Sequence, residues 1–300
     1  MGVLQYPDLV LQVDGEQKGL VQNVTVSCDA GLDLISFSTG VIPYETERTG
    51  KIIYEQIVSS IGDITEAPLF TDKGQIRLYD NVGSGYVIAE QCVLNSIEYN
   101  LPINGFFTCK YEYTHIGVSG IASGQNIASY PQTGRAPYRV YYSGGAPGTN
   151  HQSISINITA RRKDLFNKGD PRPKCSVISY PIETTVTLQM SADSSGFIQN
   201  INTNFLAGRL SQIQGCTASL QNQDMTISIG ANIGSITISD LYLTKINTQQ
   251  GDIGGQPLEF IAEYVSYDDY GTIANGQRII NYASQSSPPA GGSPPDPDDL

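Results

Sequence analysis

The sequence contains no tryptophan and only two histidines, and charged residues make up just 15% of its 300 positions. None of its five cysteines belongs to a Cys-x-x-Cys pair, and no apolar run approaches the roughly 20 residues of a membrane-spanning helix. These absences argue against a zinc motif, a disulfide framework and a membrane partner. The N-terminus also lacks a basic segment followed by an apolar core, so we expect no signal peptide.

The chain is acidic, with 29 Asp and Glu against 17 Lys and Arg and a formal net charge of −12. Nucleic-acid binding relies on clustered cations that contact phosphates, so a DNA-reading function is disfavoured. The same sign of charge suits a surface past which DNA slides without sticking. Solubility alone explains the charge equally well, and composition does not choose between the two.

Apolar and polar residues alternate along much of the chain. Ile154, Ile156 and Ile158 are separated by Ser and Asn, which predicts a strand with one buried and one polar face. The same alternation recurs in residues 24–28, 107–113, 178–190, 225–229 and 236–238. We therefore expect a mainly β fold. Unpaired cysteines in or beside such strands act as small buried apolar groups, which fits a reducing compartment. The cysteines are Cys28, Cys92, Cys109, Cys175 and Cys216.

Changes in composition divide the chain into two β domains and two segments of simpler composition. The stretch 118–150 is rich in Gly, Ser and Pro and reads as a linker or long loop, and the Pro-rich acidic end reads as an extended tail. Each domain also contains one stretch with helix-like spacing. The expected domains are 1–117 and 151–275, the linker is 118–150, the tail is 276–300, and the helix candidates are 57–69 and 200–213.

The two domains follow the same order of features. Each has a long strand, a charged loop, a second long strand, a helix candidate, further strands and a closing aromatic strand. Gln22-Asn23-Val24 opens the first series and Gln152-Ser153-Ile154 opens the second. Any two β domains share alternation, but the common order of features favours an internal duplication.

The second half resembles the tail tube protein, or major tail protein, family of long-tailed bacteriophages. Three pieces within residues 152–271 carry the resemblance. They are the strand–loop–strand unit of 163–171 and 179–186, the run 225–238, and the closing unit 254–264. The first half resembles the same unit more loosely, because its loop from Phe37 to Lys51 lacks the Gly-Asp-Pro sequence found at 169–171.

This resemblance implies two tandem β-sandwich or half-barrel domains of tail-tube type, each with a short helix. It implies self-assembly into homotrimeric pseudo-hexameric, or hexameric, rings that stack into a tube and meet other tail proteins. DNA passes through the channel without specific binding. The protein is then a structural component of the virion tail, assembled in the host cytoplasm, with no enzymatic activity and no cofactor.

The resemblance also implies roles for particular residues. Loops between the long strands reach the adjacent ring, and the polar face of one long strand lines the channel. The candidates for contacts between subunits or rings are Arg161, Arg162, Lys163, Lys168, Asp170, Pro171, Arg172, Glu45, Glu47 and Arg48. The candidates for the channel lining are Glu183, Thr185, Thr187 and Gln189.

No catalytic or metal-binding pattern stands out. His115 and His151 have no Cys, His or carboxylate at ligand spacing, and no Gly-x-Ser-x-Gly sequence marks a nucleophile. We therefore nominate no catalytic, cofactor-binding or metal residue. Two other readings stay open: a different virion component such as a tail-completion, baseplate or capsid-associated protein, and a carbohydrate-binding or adhesive β-sandwich that uses some of the 18 tyrosines.

Overall fold

Strands account for nearly all of the structure. A computed structural model of the chain describes residues 9–37, 40–58, 73–80, 85–102, 106–116, 119–123, 140–142, 150–170, 173–191, 223–229, 234–249, 259–268 and 280–283. Within these ranges no residue lies in a helix, and the prediction of a mainly β fold is confirmed. The helix candidates 57–69 and 200–213 lie outside the described residues, apart from positions 57 and 58.

The strands of the described ranges form one antiparallel sheet of 15 members. The first eight are β1 (Leu9–Val13), β2 (Glu16–Lys18), β3 (Val21–Phe37), β4 (Gly40–Ile57), β5 (Lys73–Asp80), β6 (Gly85–Pro102), β7 (Thr108–His115) and β8 (Ser119–Ser123). The others are β9 (Val140–Tyr142), β10 (Asn150–Phe166), β11 (Pro173–Ser191), β12 (Gln223–Ile229), β13 (Gly234–Gln249), β14 (Glu259–Asp268) and β15 (Ile280–Ala283).

Long strands from both halves of the chain lie side by side in what we call the central row. Its order is β3, β4, β7, β6, β10, β11, β14 and β13. The two halves meet where Ser96–Pro102 of β6 pairs with Ser153–Thr159 of β10. We call this pairing the internal joint. It makes the two halves one continuous sheet.

Alternation along each strand gives the central row an apolar face and a polar face. In β11, Thr184, Val186 and Leu188 are buried, whereas Thr185 and Thr187 between them are only half-buried. The pattern predicted from sequence for this strand is confirmed. The apolar face builds the core, and the polar face is left for contact with solvent or a partner.

The core continues across the internal joint. Tyr99 of β6 and Ile156 of β10 are fully buried in it, and Val13 of β1 and Ile76 of β5 join the same cluster. In the first half the core is aromatic: the ring centroids of Tyr54 and Tyr111 lie 4.8 Å apart. Such aromatic pairs add about 0.5–1.5 kcal/mol beyond the burial of their area.

Two strands of the central row bend and leave it. The first part of β6 pairs with β5 and β8, and its second part pairs with β7 and β10. The first part of β13 likewise pairs with β12 and β15, and its second part with β14. Gln91 and Asp240 stand at these bends with positive φ values of 52° and 54°. Residues other than glycine rarely adopt this backbone conformation, because it is sterically strained.

The pairing pattern of the first half recurs in the second half. The matching strands are β1 and β9, β3 and β10, β4 and β11, β5 and β12, β6 and β13, β7 and β14, and β8 and β15. Irregularities also coincide. β3 and β10 are bulged at Gln22 and Gln152, and β6 and β13 are bulged at Asn95 and Thr244. Since a bulge fixes the register, these coincidences define residue-by-residue counterparts.

Three predicted irregular stretches contain strands. β8 and β9 lie within 118–150, and β15 lies within 276–300. The loop expected from Phe37 to Lys51 is wrong for Phe37, which belongs to β3, and for residues 40–51, which belong to β4. Proline is tolerated there because, among the described residues, this end of β4 pairs with β3 alone, and an open strand edge does not need the missing N–H. In the loop expected at 167–173, residues 167–170 lie outside the strands and include a turn in which Gly169 has φ +84°, whereas Pro173 begins β11.

One pair of corresponding core positions holds residues of different size in the two halves. Gly50 pairs with His115 in the first half, and Thr184 pairs with Ser266 in the second. His115 is buried and its imidazole fills the space above Gly50, so a side chain at Gly50 would overlap the ring. Where the first half pairs the small Gly50 with the large His115, the second half pairs two residues of intermediate size, Thr184 and Ser266.

We predict that Gly50→Thr destabilises the protein by about 1–3 kcal/mol or more, because it overpacks the core against His115. Adding His115→Ser, which copies the Thr184 and Ser266 pair, should restore most of this loss. Urea denaturation of the two variants and of His115→Ser alone measures the effects. A single Gly50→Thr variant as stable as the original protein would contradict the packing described above.

Candidate assembly surface

Side chains that alternate with the core residues form a face across the central row in which hydroxyl, amide and charged groups predominate. We call it the polar face. Its members include Thr25, Lys51, Glu55, Glu98, Asn100, Thr108, Lys110, Glu112, Ser155, Asn157, Thr159, Glu183, Thr185, Thr187, Gln189, Lys245 and Glu263. Ile53, Val265 and Tyr267 lie among them, in register with Glu112, Thr185 and Glu183.

Cations on or beside this face lie next to carboxylates. Lys51 Nζ is 3.0 Å from Glu112 Oε1, and Lys110 Nζ is 3.6 Å from Glu98 Oε2. Lys245 is paired in register with Glu263. These pairs are exposed and stabilise the fold little, but they leave no cluster of unopposed positive charge among the described residues of the face. Without such clusters, a surface holds phosphates weakly.

The four residues predicted to line a channel lie together on the polar face, because they alternate with the buried residues of β11. Glu183 and Thr185 pair with Thr159 and Asn157 of β10. Ser153 Oγ donates a hydrogen bond of 3.1 Å to Gln189 Oε1. The predicted residues therefore form part of one surface.

Two hairpins extend beyond the central row. We call 29–37 with 40–49 the first arm, and 161–166 with 173–179 the second arm. The predicted contact residues lie on or beside these arms. Arg161, Lys163, Lys168 and Asp170 are exposed. Glu45, Glu47 and Arg48 lie in β4 of the first arm, and positions 171 and 172, Pro171 and Arg172, are outside the described residues.

Both arms also expose large apolar side chains, which the sequence reading missed. The exposed residues are Leu34, Val41 and Ile42 on the first arm and Leu165, Phe166 and Val177 on the second. Leu34 is 64% exposed, the highest value of these. The sequence signal that could have revealed them is the presence of apolar residues at the ends of long hairpins. Side chains there have no second sheet to pack against and are therefore exposed. Exposed apolar groups in matching places are typical of contact surfaces.

Arg162 differs from its exposed neighbours because its guanidinium donates to backbone carbonyls within the sheet. Its Nε donates a 2.8 Å hydrogen bond to the carbonyl oxygen of Leu94, and its Nη1 donates one of 3.3 Å to that of Ser176. Leu94 precedes the bulge at Asn95, where the ladder between β6 and β7 is interrupted. Arg162 thus ties the base of the second arm to the first half of the sheet. Arg161 is 78% exposed in its side chain and lies 3.7 Å from Glu183.

The central row ends in two strands with one paired edge each. In the described ranges, β3 pairs only with β4, and residues 242–249 of β13 pair only with β14. Their counterparts in the repeat, β10 and β6, pair with each other at the internal joint. An open edge presents backbone N–H and C=O groups in a row, which is a template for another strand.

The structure describes the surroundings of three cysteines and of His115. Burial raises the pKa of the Cys92 thiol to about 12, so this cysteine is not a thiolate at neutral pH. Burial lowers the pKa of His115, against a smaller opposing effect of the Ser27 backbone. Within the described ranges, no group of three or more His, Cys, Asp or Glu is placed to hold a metal ion. Cys175 is exposed, unlike the buried Cys92 and Cys109.

Comparison of the chain with protein-family models and with curated protein sequences found no match. No helix able to cross a bilayer occurs among the residues that the structure describes.

We predict that Arg162→Met destabilises the protein by about 1–3 kcal/mol, because it leaves the carbonyl groups of Leu94 and Ser176 without their donor. Arg161→Met is the matched control and should change stability by less than about 0.5 kcal/mol, since an exposed ion pair contributes little. Urea denaturation compares the two. Equal effects at both positions would argue against the internal role of Arg162.

Proposed function

We propose that the chain is a structural virion protein that assembles with copies of itself into stacked rings, forming the tail tube of a long-tailed bacteriophage. The tube is a channel for genome delivery. In this proposal each half of the chain acts as one tube domain of β-sandwich or half-barrel type, and neighbouring copies complete the ring.

The observation that carries the proposal is the relation between the internal joint and the two open edges. Within the chain, β6 of the first half pairs with β10 of the second half. Their counterparts β13 and β3 are left at the ends of the central row. Repeating the internal joint between copies satisfies both edges and extends the sheet. A closed ring then leaves neither end of the central row unpaired.

The chemistry of the polar face supports a channel. Its hydroxyl and amide groups carry no charge, and Lys51 and Lys110 lie beside Glu112 and Glu98. A DNA duplex passing such a surface meets few cations able to hold its phosphates. The overall charge of −12 adds repulsion. Glu183, Thr185, Thr187 and Gln189 are the proposed lining residues of β11.

The arms support stacking. Ring closure through strand edges leaves the apolar groups of both arms exposed, including Leu34 and Phe166. Contact with the adjacent ring would bury them, and burial of apolar area stabilises an assembly by about 25 cal/mol per Å². Three of the tyrosines, Tyr54, Tyr99 and Tyr111, are in the core and are therefore not placed to stack on a sugar.

Negative-stain electron microscopy of the purified protein tests the proposal. We expect stacked rings or tubes with a central channel, because edge pairing and arm contacts act together. Isolated closed rings would favour the other reading as a tail-completion, baseplate or capsid-associated component. Light scattering that shows only monomers under assembly conditions would reject self-assembly.

A gold label on Thr187→Cys, in a background of Cys28→Ser, Cys175→Ser and Cys216→Ser that keeps only the buried Cys92 and Cys109, locates the polar face in the same images. Label density in the channel is the expected result. The matched control is Lys163→Cys on the second arm, whose label should not lie in the channel. Density on the outer surface for Thr187→Cys would place the polar face outside.

A further inference from the structure

The bulges shared by the two halves allow the register of a joint between copies to be derived. In β6 and β13, the residues after the bulges are Ser96 and Lys245, which pair with Glu112 and Glu263. Lys245 and Ile246 are therefore the counterparts of Ser96 and Ile97. The residue identities around these positions differ, but the pairing geometry is the same.

The same argument applies to β3 and β10. After the bulges at Gln22 and Gln152, Asn23 pairs with Glu55 and Ser153 pairs with Gln189. Counting along both strands makes Cys28 and Asp29 the counterparts of Ile158 and Thr159. At the internal joint, Ile97 pairs with Ile158 and Ser96 pairs with Thr159.

We propose that β13 of one copy pairs antiparallel with β3 of the next copy in the register of the internal joint, which sets Lys245 opposite Asp29 and Ile246 opposite Cys28. This inference rests on the proposed function and specifies the partner of each open edge. It also specifies the strand direction and the residue pairs that determine the register.

The residues that this register brings together are compatible in charge and polarity. Asn247 stands opposite Ser27, Thr248 opposite Val26, and Gln249 opposite Thr25. Lys245 and Asp29 have opposite charges at a place where the internal joint has the neutral pair Ser96 and Thr159. Opposite charges across a strand pair favour one register, and like charges destabilise it. The charged pair therefore marks the joint between copies and distinguishes it from the internal joint.

A second copy is the occupant that fits both edges at once. β13 corresponds to β6 and β3 corresponds to β10. Since β6 already pairs with β10, a pairing of β13 with β3 repeats an interaction that exists in the sheet. The chain carries Lys245 on one open edge and Asp29 on the other, so two copies supply both members of the pair. An unrelated partner would need a different matching strand for each edge. Closure of one chain upon itself is an alternative that the following experiment separates.

Disulfide trapping tests the register, because the native Cys28 supplies one half of the bond. In a Cys175→Ser background, Ile246→Cys should give a ladder of covalently linked copies on a non-reducing gel after mild oxidation of assembled protein. Removing the native thiol with Cys28→Ser should abolish the ladder. Asn247→Cys is the matched control one position along, and it should link less because neighbouring positions alternate between faces.

The outcomes separate the inference from the proposed function. Tubes that form without Cys28 linkage reject the register and leave the function in place. An intramolecular bond, seen as a faster-running monomer, rejects pairing between copies. Absence of both tubes and linked copies rejects the function and the register together.

Charge reversal gives an independent test that needs no new cysteine. Asp29→Lys places two lysines opposite each other and should slow assembly about tenfold at low salt, with a smaller effect at high salt. Adding Lys245→Glu should restore the rate. Lys245→Glu alone also faces Glu263 within its own chain, so its thermal stability serves as the control for folding. No rescue in the double variant, with all three variants folded, would overturn the register.

Discussion

The unpaired backbone edge is the constraint on which the rest of this structure depends. A strand in the middle of a sheet has its N–H and C=O groups satisfied on both sides, and a strand at the end has them satisfied on one side only. In this chain the central row gathers long strands from both halves and leaves β3 and β13 at its ends. The polar face, the arms and the internal joint all follow from the placement of these strands.

The recurrence of the pairing pattern extends to its irregular features. Bulges at Gln22 and Gln152, and positive φ values at Gln91 and Asp240, fall at corresponding places. Strained conformations are retained only where the surrounding structure requires them, so their recurrence indicates a common architecture. Core residues have diverged more freely. The buried Tyr111 of the first half corresponds to Ala262 in the second, and each half packs its own set of side chains.

Local patterns in the sequence predicted local structure well. Alternation in β10 and β11 identified the strands and separated Val186 and Leu188 from Thr185 and Thr187, because side-chain direction depends only on strand geometry. Non-local features were not predictable in this way. The pairing of β6 with β10, the bend at Gln91 and the hydrogen bonds of Arg162 depend on segments that meet only in the folded chain. The first arm was misread because Pro43 suggested a loop, although an outer strand accepts proline.

In the proposed ring, the internal joint has a consequence for the kinetics of assembly. Two free domains must collide and orient before they pair, and each such event loses translational and rotational freedom. Here Ser96–Pro102 and Ser153–Thr159 are connected by the polypeptide, so their encounter is intramolecular and independent of protein concentration. Every second joint around a ring would then form while the chain folds. Only the remaining joints would require a collision between separate copies in solution.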